Sequence, residues 1–295
     1  MTVILPAIAP VALIILIGFL CHHTLSLESK TLRQLTIYIL TPALIAGNLY
    51  RTTLSLRSSL GLASSVVITS LLLYLLAWGL GKISKLPEPS QKSLIASTLF
   101  PNNGNLGLPV NAFVFNEPGL ERAVVYMITT SLLTFSIGPA LLKGGGITEG
   151  MRLTLKLPLL WAMLVGLSLR LLSVQLPLRL DEGIQQLGAA AIPIALIILG
   201  IQLASTRFEV GIYEICAASL RLLVGPSIAY MVGKFLQLEG LDLQVLVLQS
   251  AMPTAVNTIV LITFGGDAPR VARTVVVSTL MSFLTLPLVL SVLIK

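Results

Sequence analysis

The stretches between charged clusters in this chain are mostly apolar, and almost every one is about 20 residues long. A helix that crosses a bilayer needs roughly 20 mostly apolar residues. Only 11% of the 295 residues are charged, whereas soluble domains usually carry roughly 25%. Most of the surface must therefore face lipid, and the sequence predicts an all-α membrane protein. No polar segment long enough for a soluble domain remains.

The apolar runs predict ten transmembrane helices, in two groups of five joined by a glycine-rich polar connector. The ten predicted spans are 3–22, 31–50, 59–81, 91–115, 121–142, 153–174, 183–204, 212–236, 242–265 and 270–294. Residues 1–142 are predicted as the first five-helix repeat, residues 143–152 as a cytoplasmic connector, and residues 153–295 as the second repeat.

Matched spacings relate the two halves and indicate an internal repeat. Pro101 precedes Asn105 by four residues, and Pro253 precedes Asn257 by four residues. Similar matches link the other spans in the same order. Because each half has an odd number of spans, the second half enters the bilayer from the opposite side. The sequence therefore predicts inverted repeats.

The distribution of cationic residues predicts the orientation. The connectors after the odd-numbered spans hold eleven Lys and Arg residues, against seven on the opposite face. Cytoplasmic loops carry the excess of positive charge, so both termini are expected outside the cytoplasm. The N-terminus has no charged region or cleavage pattern and is interpreted as a first span rather than a signal peptide. Compact loops favour a bacterial inner membrane.

Two polar, proline-containing runs, 100–109 and 250–258, interrupt the fourth and ninth predicted spans. Proline removes a helical hydrogen bond and glycine relaxes the backbone, so both spans should unwind there. Lipid tolerates irregular backbone only where it faces protein or a water-filled cavity. Two broken helices that cross at the midplane are therefore predicted. The residues expected to form the crossover are Pro101, Asn102, Gly104, Gly107, Pro109 and Pro253.

Such a crossover suits an anion, because half-helix N-termini expose N–H groups and the positive end of the helix dipole. The half-helices after the breaks are expected to start near Asn105 and Asn257. Their two N-termini would then converge on one ligand. The predicted substrate-binding residues are Asn103, Asn105, Asn257, Thr254 and Thr258.

Five further polar residues are weaker candidates. Ser97, Thr98, Gln249 and Asn48 would serve equally well as hydrogen-bonding partners between helices. Arg221 is the one charge well inside a predicted span, which makes it a candidate for substrate binding or coupling. It is also close enough to the span end to reach the interface by snorkelling.

Other classes of function find no support in the sequence. Cationic loops explain the net charge of +7, and no basic run with interleaved aromatics indicates nucleic-acid binding. Neither a metal site nor a cofactor is predicted, since the two histidines have no third ligand nearby. Hydrolase, metalloprotease and ATP-binding motifs are absent, so an enzyme is not expected. All twelve carboxylates lie in loops or near span ends, which disfavours antiport through a mid-membrane Asp or Glu.

In the interrupted spans the chain resembles the auxin efflux carrier family, which includes bacterial organic-acid permeases and plant PIN-type carriers. Residues 101–109 carry the likeness, together with 252–257 and the following 264–267. Arg221 ahead of Pro226, and residues 278–287, add to it. The resemblance covers the whole chain, with the short connector in place of the long central loop of some plant carriers.

The resemblance implies a fold similar to NhaA-type antiporters and bile-acid sodium symporters. Spans 1, 2, 6 and 7 would form a scaffold, through which the protein would dimerise, and spans 3–5 and 8–10 a transport domain. It implies organic-anion substrates, such as malate, malonate or auxin-like weak acids, moved by elevator-like alternating access. Two alternatives stay open. Sodium-dependent flux would indicate a cation-coupled symporter of the bile-acid type, and binding without flux would indicate a membrane receptor or scaffold.

Overall fold

The computed structural model of this chain describes residues 4–143, 147–205, 209–256, 258, 262 and 265–294. Within these residues the backbone is almost entirely helical, and one isolated bridge is the extent of β pairing. The predicted all-α class is confirmed for this part of the chain.

The helices follow one another with short connections. In the first half they are α1 (Ile4–Thr24), α2 (Ser29–Leu35), α3 (Thr41–Arg51), α4 (Leu56–Ile83), α5 (Glu88–Leu99) and α6 (Leu108–Lys143). In the second half they are α7 (Ile147–Leu155), α8 (Pro158–Leu171), α9 (Leu180–Ser205), α10 (Ile212–Ser219), α11 (Gly225–Phe235), α12 (Gly240–Ser250) and α13 (Ala268–Leu293).

Three wider, π-helical turns lie inside these helical runs: Thr36–Leu40, Asn103–Gly107 and Leu220–Val224. Each turn ends two residues before a proline, at position 42, 109 or 226. A proline ring clashes with the carbonyl four residues earlier and lacks an N–H group. A local π-helical turn moves that carbonyl away, so the helix continues through the proline.

Five helical stretches in the described part of the chain are long and apolar enough to cross a membrane. They are Leu56–Ile83, Asn103–Gly138, Pro177–Ser205, Ile212–Phe235 and Ala268–Leu293. Two apolar helices, Ile8–Thr24 and Pro158–Leu171, are shorter. Within the second stretch Asn116 has a φ of 56° and a ψ of −155°, which interrupts the helix between predicted spans 4 and 5.

The region around the predicted connector differs from the expectation. Residues Ile147–Leu155 form a helix, α7, where a polar connector and the start of span 6 were expected. The helix ends ahead of Pro158, since the residue before a proline disfavours helical backbone. Span 6 is therefore reduced to α8, whose 14 residues correspond to about 21 Å of helix at the usual rise.

The helices sort into two packing groups. The first packing group consists of α1, α2, α3, α8 and α9, and the second of α4–α6 with α10–α13. Glycines allow close backbone approach in the first group. A Cβ atom on Gly166 would lie 2.7 Å from the Ala46 carbonyl oxygen, and one on Gly188 would lie 2.8 Å from the Cα of Leu44. The first packing group contains the helices of predicted spans 1, 2, 6 and 7, and the scaffold role of those spans stays a prediction.

Candidate functional site

The interruptions of the fourth and ninth spans lie against each other in the second packing group. The backbone N–H of Asn102 donates to the carbonyl of Pro253 at 2.7 Å. The N–H of Ala255 donates to the carbonyl of Phe100 at 2.8 Å. These bonds pair Pro101 with Thr254 in a short antiparallel bridge. The two unwound segments thus satisfy each other's polar backbone groups where lipid offers none.

The Arg221 side chain binds the C-terminal ends of α5 and α12, the two helices that lead into the bridge. Its side chain is 1% exposed, so it does not snorkel to the interface. Its Nη1 donates to the Thr98 carbonyl at 2.6 Å and its Nε to the Met252 carbonyl at 3.1 Å. Its Nη2 donates to the Ser250 carbonyl. Carbonyls at a helix C-terminus lack intrahelical donors and carry partial negative charge, so one guanidinium serves both α5 and α12.

Thr254 is also a structural member of the crossover. Its hydroxyl donates to the Ser97 carbonyl at 2.9 Å, and its N–H donates to the Ser278 hydroxyl at 3.1 Å. It is fully buried and lies outside the walls of the cavities described below. Thr254 thus ties the predicted ninth span to α5 and α13, and its predicted role as a substrate ligand stays a prediction.

A cavity of about 180 Å³, the crossover cavity, opens between the bridge and the first packing group. Asn102, Asn103 and Asn105 line it on the crossover side. Thr36, in the first π-helical turn, and Thr41 face them from the first packing group. The Asn103 amide nitrogen donates to the Thr130 hydroxyl. The buried amide nitrogen of Asn102 has no partner among the described residues.

The other predicted site residues are distributed around this cavity. Pro101, Gly104 and Pro109 line it as well. Thr258 lines an adjoining space of about 70 Å³ together with Asn103. Gly107 packs against the Gln249 carboxamide, which would have to shift to admit a Cβ atom at this position. Asn257 lies outside the described residues, so its predicted role stays a prediction.

A second and larger cavity of about 550 Å³, the Arg51 cavity, lies beyond the first. Arg51 and Asn48 line it, so Asn48 lies away from the crossover. Leu44 and Ile192 line both cavities and separate them. The two cavities therefore occupy opposite ends of one interface between the packing groups.

The sequence profile described as a membrane transport protein matches this chain twice, over residues 3–146 and 147–290. The chain belongs to the membrane transport protein family. The match also confirms the resemblance to the auxin efflux carriers.

Several curated relatives of this membrane transport protein cover nearly its whole length. An uncharacterized transporter of Methanothermobacter thermautotrophicus is 32% identical over 267 residues, 88% of each chain. One from Methanocaldococcus jannaschii is 28% identical over 275 residues, also 88% of each. The uncharacterized transporter YfdV of Escherichia coli is 24% identical over 270 residues, 85% of each.

Sequence reasoning missed part of the site of this membrane transport protein. Asn102 was expected only to shape the backbone, yet its side chain lines the crossover cavity. Thr36 and Thr41 were not singled out, although Pro42 marks the π-helical turn that begins at Thr36 and ends just before Thr41. Conversely, the hydroxyls of Ser97 and Thr98 are buried without a partner among the described residues and line neither cavity.

Two carboxylates of this membrane transport protein are buried. Glu121 is 8% exposed and Glu214 4% exposed, although both lie near span ends. Glu121 accepts hydrogen bonds from the Thr52 hydroxyl at 3.1 Å and the Thr53 N–H at 3.3 Å. Glu214 pairs with Arg273 at 3.2 Å. Both are bound to neighbouring groups and lie away from the crossover cavity.

Proposed function

We propose that this protein is a secondary transporter of small organic anions, carboxylates such as malate or malonate or auxin-like weak acids. The observation that carries the proposal is the backbone bridge between two broken helices beside an asparagine-lined cavity. A static receptor gains nothing from such a bridge, whereas a carrier needs a polar site that lipid cannot disrupt.

The chemistry of the crossover cavity favours an anion. The helix after the first break begins at Asn103, and the N–H groups of its first turn have no intrahelical acceptors. The positive end of the helix dipole lies at the same place. No described Asp, Glu, Lys or Arg lines the cavity. The helix dipole and amide groups alone would hold a carboxylate. Because no charged side chain adds to the binding, the carboxylate could also be released.

The arrangement of the cavities supports elevator-like alternating access. One cavity opens toward each end of the interface between the packing groups, with Leu44 and Ile192 between them. Sliding of the second packing group along the first would carry the crossover from one end to the other. In this proposal the ten spans form two inverted repeats, which two successive family matches support. The first packing group is the scaffold, and both termini lie outside the cytoplasm of a bacterial inner membrane.

Flux measurements on purified protein in liposomes test the proposal. Malate, malonate and indole-3-acetate would be offered separately, with and without a sodium gradient. Replacement of Asn105 by Ala should raise the KM of the transported anion about tenfold, the effect of losing one charge-assisted hydrogen bond of about 1.5 kcal/mol. The control Gln34→Ala removes an exposed amide outside both cavities and should leave KM unchanged. Binding without flux would overturn transport, and unchanged kinetics in Asn105→Ala would overturn the site.

A further inference from the structure

Arg33 lies at the end of the crossover cavity remote from Arg51. It lines a small space of about 30 Å³ together with Asn105 from the crossover and Gln202 from α9. Thr36, Ile37, Asn105 and Val256 line both this space and the crossover cavity. The two spaces therefore adjoin, and the Arg33 side chain lines the same small space as Asn105 of the crossover.

The positive charge of Arg33 is not compensated by the described residues around it. The side chain is half-buried and forms no ion pair or hydrogen bond within the described part of the chain. The carboxylate nearest in sequence, that of Glu28, accepts a hydrogen bond from the Thr31 hydroxyl instead. Lys30 on the same helix is exposed and lines none of these spaces. A cation held beside a polar cavity without a counterion attracts an anion.

The opposite end of the interface has a different charge balance. Arg51 is bound to Asp181 at 2.5 Å and to the Gln185 side-chain oxygen at 2.6 Å. Glu117 and Glu121 also line the Arg51 cavity. The charge of Arg51 is thus already neutralised, and the remaining carboxylates repel an anion there. Among the described residues that line these cavities, Arg33 is the one cation without a carboxylate partner.

We infer that Arg33 is an anion-capture residue, and that the carrier has a higher apparent affinity for its substrate at the Arg33 end than at the Arg51 end. The inference rests on the proposed function and deepens it. A guanidinium binds a carboxylate through two parallel N–H donors. Arg33 therefore holds the anion at the mouth of the cavity and passes it to Asn105, which lines both spaces.

Flux from each side of oriented proteoliposomes tests the inference, with malonate as the probe and separate substitutions of Arg33. Wild-type protein should show the lower KM from the Arg33 side. Replacement of Arg33 by Gln should raise that KM about fivefold, since a partly exposed ion pair contributes about 1 kcal/mol. The KM from the Arg51 side should change less than about twofold. Arg33→Lys should recover part of the affinity, and Lys30→Gln should match the wild type.

The possible outcomes separate this inference from the proposed function. Equal KM values from both sides of the wild type, or an equal rise on both sides in Arg33→Gln, would refute anion capture and leave the carrier intact. Absence of flux in the wild type would overturn both. Raised salt should reduce the wild-type asymmetry, because ions screen a charge at an accessible mouth. A thermal-unfolding midpoint equal to that of the wild type would show that Arg33→Gln is folded.

Discussion

At the scale of single residues, the most informative side chain is Arg221. A buried charge is costly unless hydrogen bonds replace its water. Three carbonyl oxygens, those of Thr98, Ser250 and Met252, supply them. The same carbonyls would otherwise stay unpaired at the ends of two interrupted helices. The arginine and the breaks therefore stabilise each other, and we infer that Arg221 positions the crossover rather than contacting substrate.

Replacement of Arg221 by Met should remove the guanidinium that binds the two helix ends, while an apolar side chain of similar length remains. Three buried carbonyls would lose their donor, at about 1–3 kcal/mol each. We expect a thermal-unfolding midpoint lower by many degrees and strongly reduced transport, with KM unchanged in whatever activity remains. The matched control is Arg57→Met, at an exposed arginine, which should behave as the wild type. A variant of Arg221 with normal stability and a raised KM would instead indicate contact with substrate.

The asparagines of the crossover cavity should differ in their contributions. The Asn103 side chain is bound to Thr130, whereas Asn105 is half-buried and lines two adjoining spaces. Replacement of Asn103 by Ala should therefore lower stability by about 1 kcal/mol, and Thr130→Val should lower it similarly. Asn105→Ala should leave the free energy of unfolding unchanged. Chemical denaturation in detergent would measure this difference, and equal losses at both asparagines would contradict it.

At the scale of elements, proline-linked π-helical turns and close helix contacts shape the protein. The turns at Thr36–Leu40 and Asn103–Gly107 both line the crossover cavity. A wider turn leaves backbone groups less regularly paired, which suits a polar site. The first packing group is tightened by glycines whose neighbours are backbone atoms rather than movable side chains. In the proposed mechanism, this close packing would provide the fixed surface along which the second packing group slides.

Substitution of glycine by alanine should have opposite effects at two positions. At Gly166 the new methyl group would lie 2.7 Å from the Ala46 carbonyl oxygen, so α3 and α8 would have to separate. At Gly79 nothing lies within 4 Å of the added Cβ, and alanine favours the helix by about 1 kcal/mol. Thermal unfolding should show a lower midpoint for Gly166→Ala and an equal or higher one for Gly79→Ala. A neutral Gly166→Ala would contradict the close approach.

At the scale of the whole molecule, two packing groups enclose one interface with a cavity at either end. The crossover lies in the second group, and its site faces Thr36 and Thr41 of the first. In the proposed mechanism, movement between the groups would change access to the site without breaking the crossover itself. The backbone bridge and the hydrogen bonds of Arg221 both lie wholly inside the second packing group.

Cysteine labelling should show that the interface between the packing groups is accessible to water at both of its ends. In a background with Cys21 and Cys216 replaced by Ser, Ile37→Cys should react with a membrane-impermeant thiol reagent from the cytoplasmic side, since Ile37 lines the crossover cavity. Ala189→Cys, in the Arg51 cavity, should react from the opposite side. Leu284 is 74% exposed in the protein alone. Leu284→Cys should nevertheless be unreactive because lipid covers it. Reaction of the first two cysteines from one side would contradict the proposed topology.

The sequence alone was enough to predict the class of the protein and the places where its helices break. Long apolar stretches leave no other folded state in lipid than helices with internally paired backbones. Proline and glycine act within about one helical turn of themselves, so Pro101 and Pro253 located the interruptions without any knowledge of the fold. Matched spacings also predicted the repeat to which the family profile aligns twice.

The partner of each polar side chain was decided only by the tertiary structure. Arg221 binds a carbonyl 123 residues away, and Thr254 one that is 157 residues away. Local spacing contains no information about such partners, because they depend on how separate helices pack. This is why the sequence did not predict that Thr254 bonds α5 and α13, or that the Asn102 side chain lines the cavity. Helix formation is governed by neighbouring residues, whereas the composition of a site depends on which distant helices meet.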